Sequence, residues 1–245
     1  MDLSQRISVR RLSELPDFRA NLARDVGEGL RDDPRWFSTK YLYDEEGTAL
    51  FERFSRQPHY YLFSAETDIL RHRARDVMEA VRPQEVVELG SGASTKTRLL
   101  LEAMHETGCC RYVSLDISER ALRTSAEELT AEYPWLQVDG YLGDFDTDLP
   151  KLSRKGRRLL VFLGNTVGNF RTRPQRIEFL RKMSSVLVPG DALMLGFDLR
   201  KDVGEILAAY ADPEGVQRQF LMRSVAIMNN KLGARLPDGG EHFSI

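Results

Sequence analysis

The chain has 245 residues, a formal net charge of −2, and 42% hydrophobic and 29% charged residues. This length suits one large domain or a domain with a smaller lobe, and the nearly balanced charge argues against a protein that mainly neutralises phosphates, so we expect no nucleic-acid partner. No segment approaches the ~20 apolar residues of a membrane span and the first residues lack an apolar signal core, so we expect no membrane association and a cytoplasmic location.

The first third of the chain has the periodicity of amphipathic helices. Residues 15–30 carry apolar side chains four positions apart, which form one stripe on a helix: Phe18, Leu22, Val26 and Leu30. A second amphipathic stretch around residues 50–54 stops before Pro58, and a third covers residues 66–81. The pattern therefore predicts a helical region ahead of the main fold.

After residue 83 the pattern changes to alternating strands and helices. Short β-rich runs are found at residues 85–89, 111–116, 136–141, 159–163 and 191–197. Helices are predicted over residues 96–105 and from a Ser118 cap to residue 132. Strands separated by helices predict an α/β fold with a parallel, doubly wound, Rossmann-like sheet. Ligands of such sheets bind beyond the carboxyl ends of the strands, so the residues that follow each strand are the candidate site.

The first candidate feature is the turn Gly90-Ser91-Gly92, which follows the first of these strands. Two glycines allow the backbone to approach a ligand closely. The dinucleotide pattern G-x-G-x-x-G would need glycine at position 95, where this chain has Thr95, so hydride transfer is disfavoured. The alternative interpretation is a simple tight turn.

Two acidic positions follow the next two strands. Asp116 ends the second strand, where a carboxylate meets ribose hydroxyls, and Gly143-Asp144-Phe145 follows the third. There an acid accepts a hydrogen bond from an adenine amino group while an aromatic ring covers the base. Asp116 has an alternative role as a helix cap or surface residue, but the ordered set of glycine turn and two acids predicts a nucleoside cofactor.

The loop over residues 162–170 follows the central apolar strand and faces the reactive end of such a cofactor. It contains two amides, Asn165 and Asn169, whose donors and acceptors suit the carboxylate and amine of an amino acid. We assign Asn165 to the cofactor and Asn169 to the acceptor. The alternative is that both amides cap or shape the next helix.

Cysteine and histidine positions indicate no metal site. Cys109 and Cys110 are adjacent, and adjacent cysteines rarely pair or bind a metal alone. The four histidines show no H-E-x-x-H or similar spacing. We therefore predict idle thiols and no metal.

A family resemblance rests on stretches spread over nearly the whole chain: residues 40–52, 58–61, 88–92, 143–145, 162–170 and 198–202. In these stretches the chain resembles the histidine N-α-methyltransferases of ergothioneine biosynthesis and their fungal relatives that act on prenylated tryptophan. The resemblance implies a class I methyltransferase core and S-adenosylmethionine as cofactor. It further implies transfer of a methyl group to the amine of an amino acid or amino-acid-derived small molecule, with a histidine-like acceptor favoured.

The resemblance also implies roles for individual residues. The resemblance implies contacts with S-adenosylmethionine from Gly90, Lys96, Asp116, Asp144 and Phe145. We expect further contacts from Ser91, Gly92 and Asn165, which lie in the same loops. The acceptor pocket is expected to contain Tyr43, Tyr60, Asn169 and Tyr210. The implied organisation places a substrate-recognition lobe at residues 1–63 and 201–245, around a cofactor-binding core at residues 64–200.

Three departures from the family pattern leave alternatives open. Leu62-Phe63-Ser64 replaces Pro-Thr-Arg, residues 220–224 replace an Asn-rich stretch, and the family continues for some seventy residues beyond Ile245. We therefore expect a shortened core sheet whose edge is covered by a homodimer or a partner subunit. One alternative is an indole or another secondary-metabolite acceptor, and the other is a non-catalytic or partner-dependent subunit that binds S-adenosylmethionine.

Overall fold

The computed structural model describes residues 6–13, 18–91 and 95–237. The chain divides into two compact units. The first, here called the sheet unit, comprises residues 1–14 and 62–199, and the second, the helical unit, comprises residues 15–61 and 200–245. The described residues 6–13 are thus grouped with the sheet unit, whereas the sequence analysis assigned them to the lobe.

The sheet unit contains six strands in the described residues, all parallel. They are β1 Ile7–Arg11, β2 Glu85–Leu89, β3 Arg111–Asp116, β4 Gln137–Leu142, β5 Arg158–Phe162 and β6 Ala192–Leu195. Its helices are α3 Tyr61–Val81, of which the residues from Leu62 onward belong to this unit, α4 Thr95–Glu106, α5 Glu119–Glu132, α6 Phe145–Asp148 and α7 Arg173–Ser185. The strand order β1-β4-β3-β2-β5-β6 confirms the predicted Rossmann-like α/β class.

The strand order reverses at β2. The chain runs from β2 outward through β3 to β4, and then returns to the other side of β2 to form β5 and β6. Such a reversal opens a crevice at the carboxyl ends of the two strands that flank it. The turn that begins at Gly90 and the loop that begins at Leu163 follow β2 and β5, so both lie at this switch point.

Strand β1 is the main departure from the predicted elements, because the sequence predicted helices throughout the first third. Ile7–Arg11 pairs in parallel with β4, from Ile7 opposite Val138 to Arg11 opposite Leu142. The Arg6 guanidinium also donates to the carbonyl of Thr130, at 2.9 Å. These contacts join residues more than a hundred positions apart, so the local pattern of hydrophobic residues does not predict them.

The sheet is covered on both faces, which explains its nearly continuous apolar strands. Successive residues of a strand point to opposite faces, and Val86 and Val87 accordingly belong to two different buried clusters. One cluster packs against α3, α4 and α5 through residues such as Met78, Leu101 and Leu129. The other packs against α7 through Phe179 and Met183.

The helical unit has its own apolar cluster. Its described helices are α1 Phe18–Gly29, α2 Glu45–Ser55, α8 Val203–Ala209 and α9 Val216–Ile227. Within the predicted stripe on α1, Leu22 and Val26 are buried in this cluster, whereas Phe18 is 50% exposed and Leu30, just beyond the helix, is 48% exposed. In the described part of the chain, no helix is both long and apolar enough to cross a membrane.

Candidate active site

Backbone hydrogen bonds fasten the loops at the carboxyl ends of the strands to one another. The amide of Gly90 donates to the carbonyl of Leu115 at 3.0 Å, and the amide of Gly143 donates to that of Asp116 at 3.0 Å. On the other side, the amide of Gly196 donates to the carbonyl of Phe162 at 2.9 Å. The loops after β2, β3 and β4 therefore lie side by side, as does the pair after β5 and β6.

The glycine turn leaves its backbone accessible. Gly90 has a φ of +68°, and a side chain built there would meet no atom of the described residues within 4 Å. The Ser91 and Ser114 hydroxyls lie 3.0 Å apart, which ties the turn to β3. Gly92, also predicted to contact the cofactor, lies outside the described residues. The conformation at Gly90 thus provides both the left-handed backbone and the open approach that the sequence analysis assigned to this turn.

Asp116 presents a carboxylate at the end of β3. Burial raises its pKa, while hydrogen bonds from the backbone amides of Ser118 and Ile117 act in the opposite direction. The Ser118 amide donates to Oδ1 at 2.9 Å, which orients the carboxyl group. A partly desolvated, oriented carboxylate is a strong acceptor for ribose hydroxyls, the role predicted for Asp116.

The pair Asp144 and Phe145 has structural duties in the fold. The Oδ1 of Asp144 accepts from the Asp146 amide at 2.8 Å and caps the short helix α6, a role that the sequence analysis did not assign to it. The half-buried ring of Phe145 packs against Phe162 and Phe179, with centroids 5.6 and 5.5 Å away. Their predicted contacts with adenine stay predictions.

Glu66 was missed by the sequence analysis. From α3 it forms an ion pair with Lys96 of α4, here called the Glu66–Lys96 pair, and its carboxylate accepts from the Gly164 amide at 3.0 Å. The two side chains are only 15% and 17% exposed. Lys96, a predicted cofactor residue, is thus held beside the loop that follows β5. In sequence, Glu66 is one of several charges along an amphipathic helix.

Glu88 lies beneath the glycine turn and is also a buried acid. Its Oε2 accepts from the Tyr112 hydroxyl at 2.6 Å and from the Thr97 hydroxyl at 2.7 Å. Burial raises the pKa of Glu88, and these two hydrogen bonds together with the charge of Lys96 oppose that increase. Glu88 therefore anchors the start of α4 to the sheet through the Thr97 hydroxyl.

The loop after β5 holds both predicted amides. Asn165 adopts a left-handed conformation with a φ of +57°, and its Oδ1 accepts from the Asp198 amide at 3.1 Å. Its side chain therefore joins the segments after β5 and β6 instead of capping the following turn. Asn169 ends that turn and is exposed. An open depression of about 360 Å³ beside this loop is lined by Asn165, Val167, Gly168, Arg176, Leu195, Phe197 and Asp198.

The three predicted tyrosines lie in two aromatic groups of the helical unit. Tyr60 is buried and contacts Tyr210, with ring centroids 5.6 Å apart, and both rings lie around Phe54. Tyr43 instead packs against Phe51 and Phe220, at 5.5 and 5.4 Å. Tyr210 is 38% exposed and offers a ring face on the surface of this unit. Of the predicted acceptor residues, Asn169 alone is in the sheet unit, and the assignment of all four stays a prediction.

Comparison with known proteins gives these residues their context. The model of a family described as histidine-specific, S-adenosylmethionine-dependent methyltransferases matches residues 22–243. The chain belongs to this family. The match confirms the methyltransferase class and the cofactor that the sequence motifs predicted.

Two relatives of this methyltransferase are histidine N-α-methyltransferases. That of Mycobacterium tuberculosis is 42% identical over 214 residues, which cover 87% of this chain and 66% of the relative. That of Mycolicibacterium smegmatis is 41% identical over 225 residues, with 91% and 70% covered. The chain thus spans about two thirds of their length. A solved structure assigned as a methyltransferase from Thermobifida fusca shares the fold, with a TM-score of 0.50 at 14% identity over 79% of this chain and 78% of that one.

The described residues of the methyltransferase core fit S-adenosylmethionine by charge and by shape. Gly90 leaves open space beside its backbone, and Asp116 offers an oriented acceptor for hydroxyl groups. The Glu66–Lys96 pair adds one charge of each sign at the switch point of the sheet. A nucleoside with a zwitterionic amino-acid end requires these three kinds of group.

Proposed function

We propose that the protein transfers methyl groups from S-adenosylmethionine to the amine of an amino acid or an amino-acid-derived small molecule, with a histidine-like acceptor favoured. One observation supports this proposal above all: in a chain whose residues 22–243 match the histidine-specific family, Gly90 and the Glu66–Lys96 pair lie at the switch point of the sheet, and Asp116 ends the neighbouring strand β3. The two mycobacterial relatives are histidine N-α-methyltransferases, which supports the choice of acceptor.

The residues of the sheet unit would hold and orient the cofactor. Gly90 would admit it against the backbone, Asp116 would accept from its ribose, and Lys96 would hold its amino-acid end. When bound, the cofactor supplies an electrophilic methyl group, so that the amine lone pair forms the new N–C bond while the electrons of the broken C–S bond remain on sulfur. Because that methyl group is already activated, the main task of the protein is to align the amine and exclude water.

The acceptor amine has to be neutral to attack. In this proposal either a tyrosine hydroxyl or Asn169 hydrogen-bonds to the neutral amine, which increases the fraction of amine that can attack. The amine proton displaced after each transfer passes to solvent. Aromatic faces such as those of Tyr60 and Tyr210 would stabilise the cationic product by roughly 0.5 to 2 kcal/mol each.

A panel of acceptors tests the proposal. The protein is incubated with S-adenosylmethionine and either histidine, tryptophan, a prenylated tryptophan or another amino acid, and methylated products are measured by mass spectrometry. A methylated histidine is the expected result. Methylation of the indole amino acids alone would favour the second acceptor class, and binding of S-adenosylmethionine without transfer to any acceptor would favour a partner-dependent subunit.

We also propose that a second copy or a partner subunit covers the outer edge of β6. In the described residues β6 pairs with β5 on one side only, and Leu193 and Phe197 are 36% and 57% exposed. Apolar side chains along a strand edge favour association. If a second copy covers the edge, light scattering of the purified protein should give a mass above 28.0 kDa, and Leu193→Lys should lower it; a mass of 28.0 kDa would favour a partner subunit. The cytoplasmic location stays a prediction.

A further inference from the structure

The Glu66–Lys96 pair occupies the crevice where the strand order reverses. Lys96 lies in the first turn of α4, the helix that follows β2, and Glu66 lies near the start of α3. Both oxygens of the Glu66 carboxylate lie 3.0 Å from the amide nitrogen of Gly164, in the loop after β5. The pair therefore joins the two loops between which a nucleoside ligand of this fold binds.

The surroundings of the pair leave room for its carboxylate. A side chain at Gly196 would collide with Oε1 of Glu66, and a side chain at Gly164 would lie 3.7 Å from the Lys96 ammonium. The Lys96 ammonium also lies 5.5 Å from the centre of the Phe63 ring. Removing both charges from water is costly, so such a pair is a poor device for stability alone.

The charges match one part of the cofactor. Its amino-acid end carries an ammonium and a carboxylate on the same carbon, and a pair with one charge of each sign complements both. We propose that the Glu66–Lys96 pair binds the amino-acid end of S-adenosylmethionine, with Glu66 receiving the ammonium and Lys96 the carboxylate. This inference rests on the proposed function and adds Glu66 to its site.

The pair also keeps the crevice ready before the cofactor binds. In the protein without ligand, the charges of Glu66 and Lys96 neutralise each other, and the Gly164 amide holds the Glu66 carboxylate in place. When the ligand binds, each charge exchanges its partner for an oppositely charged group of the ligand, so no charge is left unpaired. The contribution of Glu66 to affinity should therefore depend on the amino-acid end and not on the adenosine.

Calorimetric titration of three ligands tests this dependence. S-adenosylmethionine and S-adenosylhomocysteine carry the amino-acid end, and 5′-methylthioadenosine has the adenosine thioether without it. Glu66→Gln should weaken binding of the first two by roughly tenfold or more, since a hydrogen bond to a charged group is lost. The affinity for 5′-methylthioadenosine should remain within about twofold of that of the unaltered protein, by the same reasoning.

A matched control is available on the same helix. Glu79 is also a carboxylate of α3, accepts from Arg75 at 2.8 Å, and is exposed. Glu79→Gln removes a paired negative charge without touching the crevice, and all three affinities should be unchanged. Thermal unfolding of both variants shows whether each is folded.

A second variant displaces the Glu66 carboxylate without removing its charge. Gly196→Ala places a methyl group against Oε1, and the flexible Glu66 side chain has to move away. This variant should reproduce the selective loss of affinity for the two ligands with an amino-acid end.

Two results would overturn the inference: equal affinities of Glu66→Gln and the unaltered protein for S-adenosylhomocysteine, or an equal loss for all three ligands. In both cases the unaltered protein still binds S-adenosylhomocysteine, and the proposed function stands. If the unaltered protein binds none of the three, the proposed function fails, and this inference fails with it.

Discussion

The charged side chains at the two ends of the central sheet differ in how deeply they are buried and in how they are paired. At the amino ends of the strands, Glu85, Arg111 and Arg158 are almost fully buried, and the Glu85 carboxylate accepts from both guanidinium groups. At the carboxyl ends, the Glu66–Lys96 pair is partly exposed, and Asp116 accepts hydrogen bonds from backbone amides of its own loop. The amino end is a closed network, whereas the carboxyl end keeps charge where a ligand can reach it.

The pKa shifts of two aspartates, Asp191 and Asp116, show the same contrast. Asp191 precedes β6 at the amino end, where burial acts to raise its pKa but hydrogen bonds from Arg154 and the backbone amides of Arg158 and Val188 lower it to about 2. For Asp116 the burial contribution prevails, and the pKa is raised. The fold therefore stabilises the ionised form of Asp191, whereas ionisation of Asp116 destabilises the folded state. Function is expected at the second.

The largest effect should come from breaking the closed network. Glu85→Gln leaves the buried guanidinium groups of Arg111 and Arg158 without their shared carboxylate, and should lower the free energy of unfolding by about 3 to 5 kcal/mol. Urea titration followed by circular dichroism measures this change. A loss below about 1 kcal/mol, the range of an exposed ion pair, would contradict the assignment of this network as structural.

Asp191→Asn should lower the free energy of unfolding by a smaller amount, about 2 kcal/mol near neutral pH. This amount is the free energy that corresponds to the lowered pKa of Asp191. Because its pKa is lower in the folded state, the stabilisation by Asp191 is complete above the ordinary value of 3.8 and is lost as pH falls toward about 2. Urea unfolding at several pH values checks this. The difference between the variant and the unaltered protein should shrink between pH 4 and pH 2, and a constant difference would contradict the prediction.

Ionisation of Asp116 should have the opposite effect on the free energy of unfolding. Because its pKa is raised in the folded state, ionisation of Asp116 costs stability once pH rises above 3.8, and the full cost is present above the folded-state pKa. Asp116→Asn should therefore raise the stability of the ligand-free protein at pH 7 and leave it unchanged near pH 3. The same substitution should weaken cofactor binding by roughly 1 to 2 kcal/mol. Unchanged affinity for S-adenosylhomocysteine would remove Asp116 from the site.

The comparison of the two ends also shows what the sequence predicts and what it does not. Strands β2 to β5 were predicted within one or two residues because each is a local apolar run bounded by turn residues, and the glycine turn and Asp116 follow from their positions after those strands. Strand β1 was missed because it is short and pairs with β4, far away in sequence. Its pattern gives no local period that separates it from the helices that follow.

Glu66 could not be predicted for a related reason. Its partners Lys96 and Gly164 lie 30 and 98 positions away, and only the fold brings all three together. The amino-end network has the same character, since Glu85, Arg111 and Arg158 each begin a different strand. In a sequence, a polar residue at the start of a strand indicates only where the strand begins, not that its side chain is buried. The packing of neighbouring parallel strands turns them into a buried cluster.

The smallest effect is expected at Asn169, which is exposed at the end of the turn after β5. Asn169→Ala removes one amide from the predicted acceptor pocket and should raise the KM for the acceptor by about fivefold, or roughly 1 kcal/mol. Because Asn169 is not among the residues assigned to the cofactor, the affinity for S-adenosylhomocysteine should stay the same. Steady-state kinetics with the preferred acceptor, combined with calorimetry, separate these two quantities. A loss of cofactor affinity with unchanged KM would instead move Asn169 to the cofactor side of the site, beside Asn165, whose side chain already links the loops after β5 and β6.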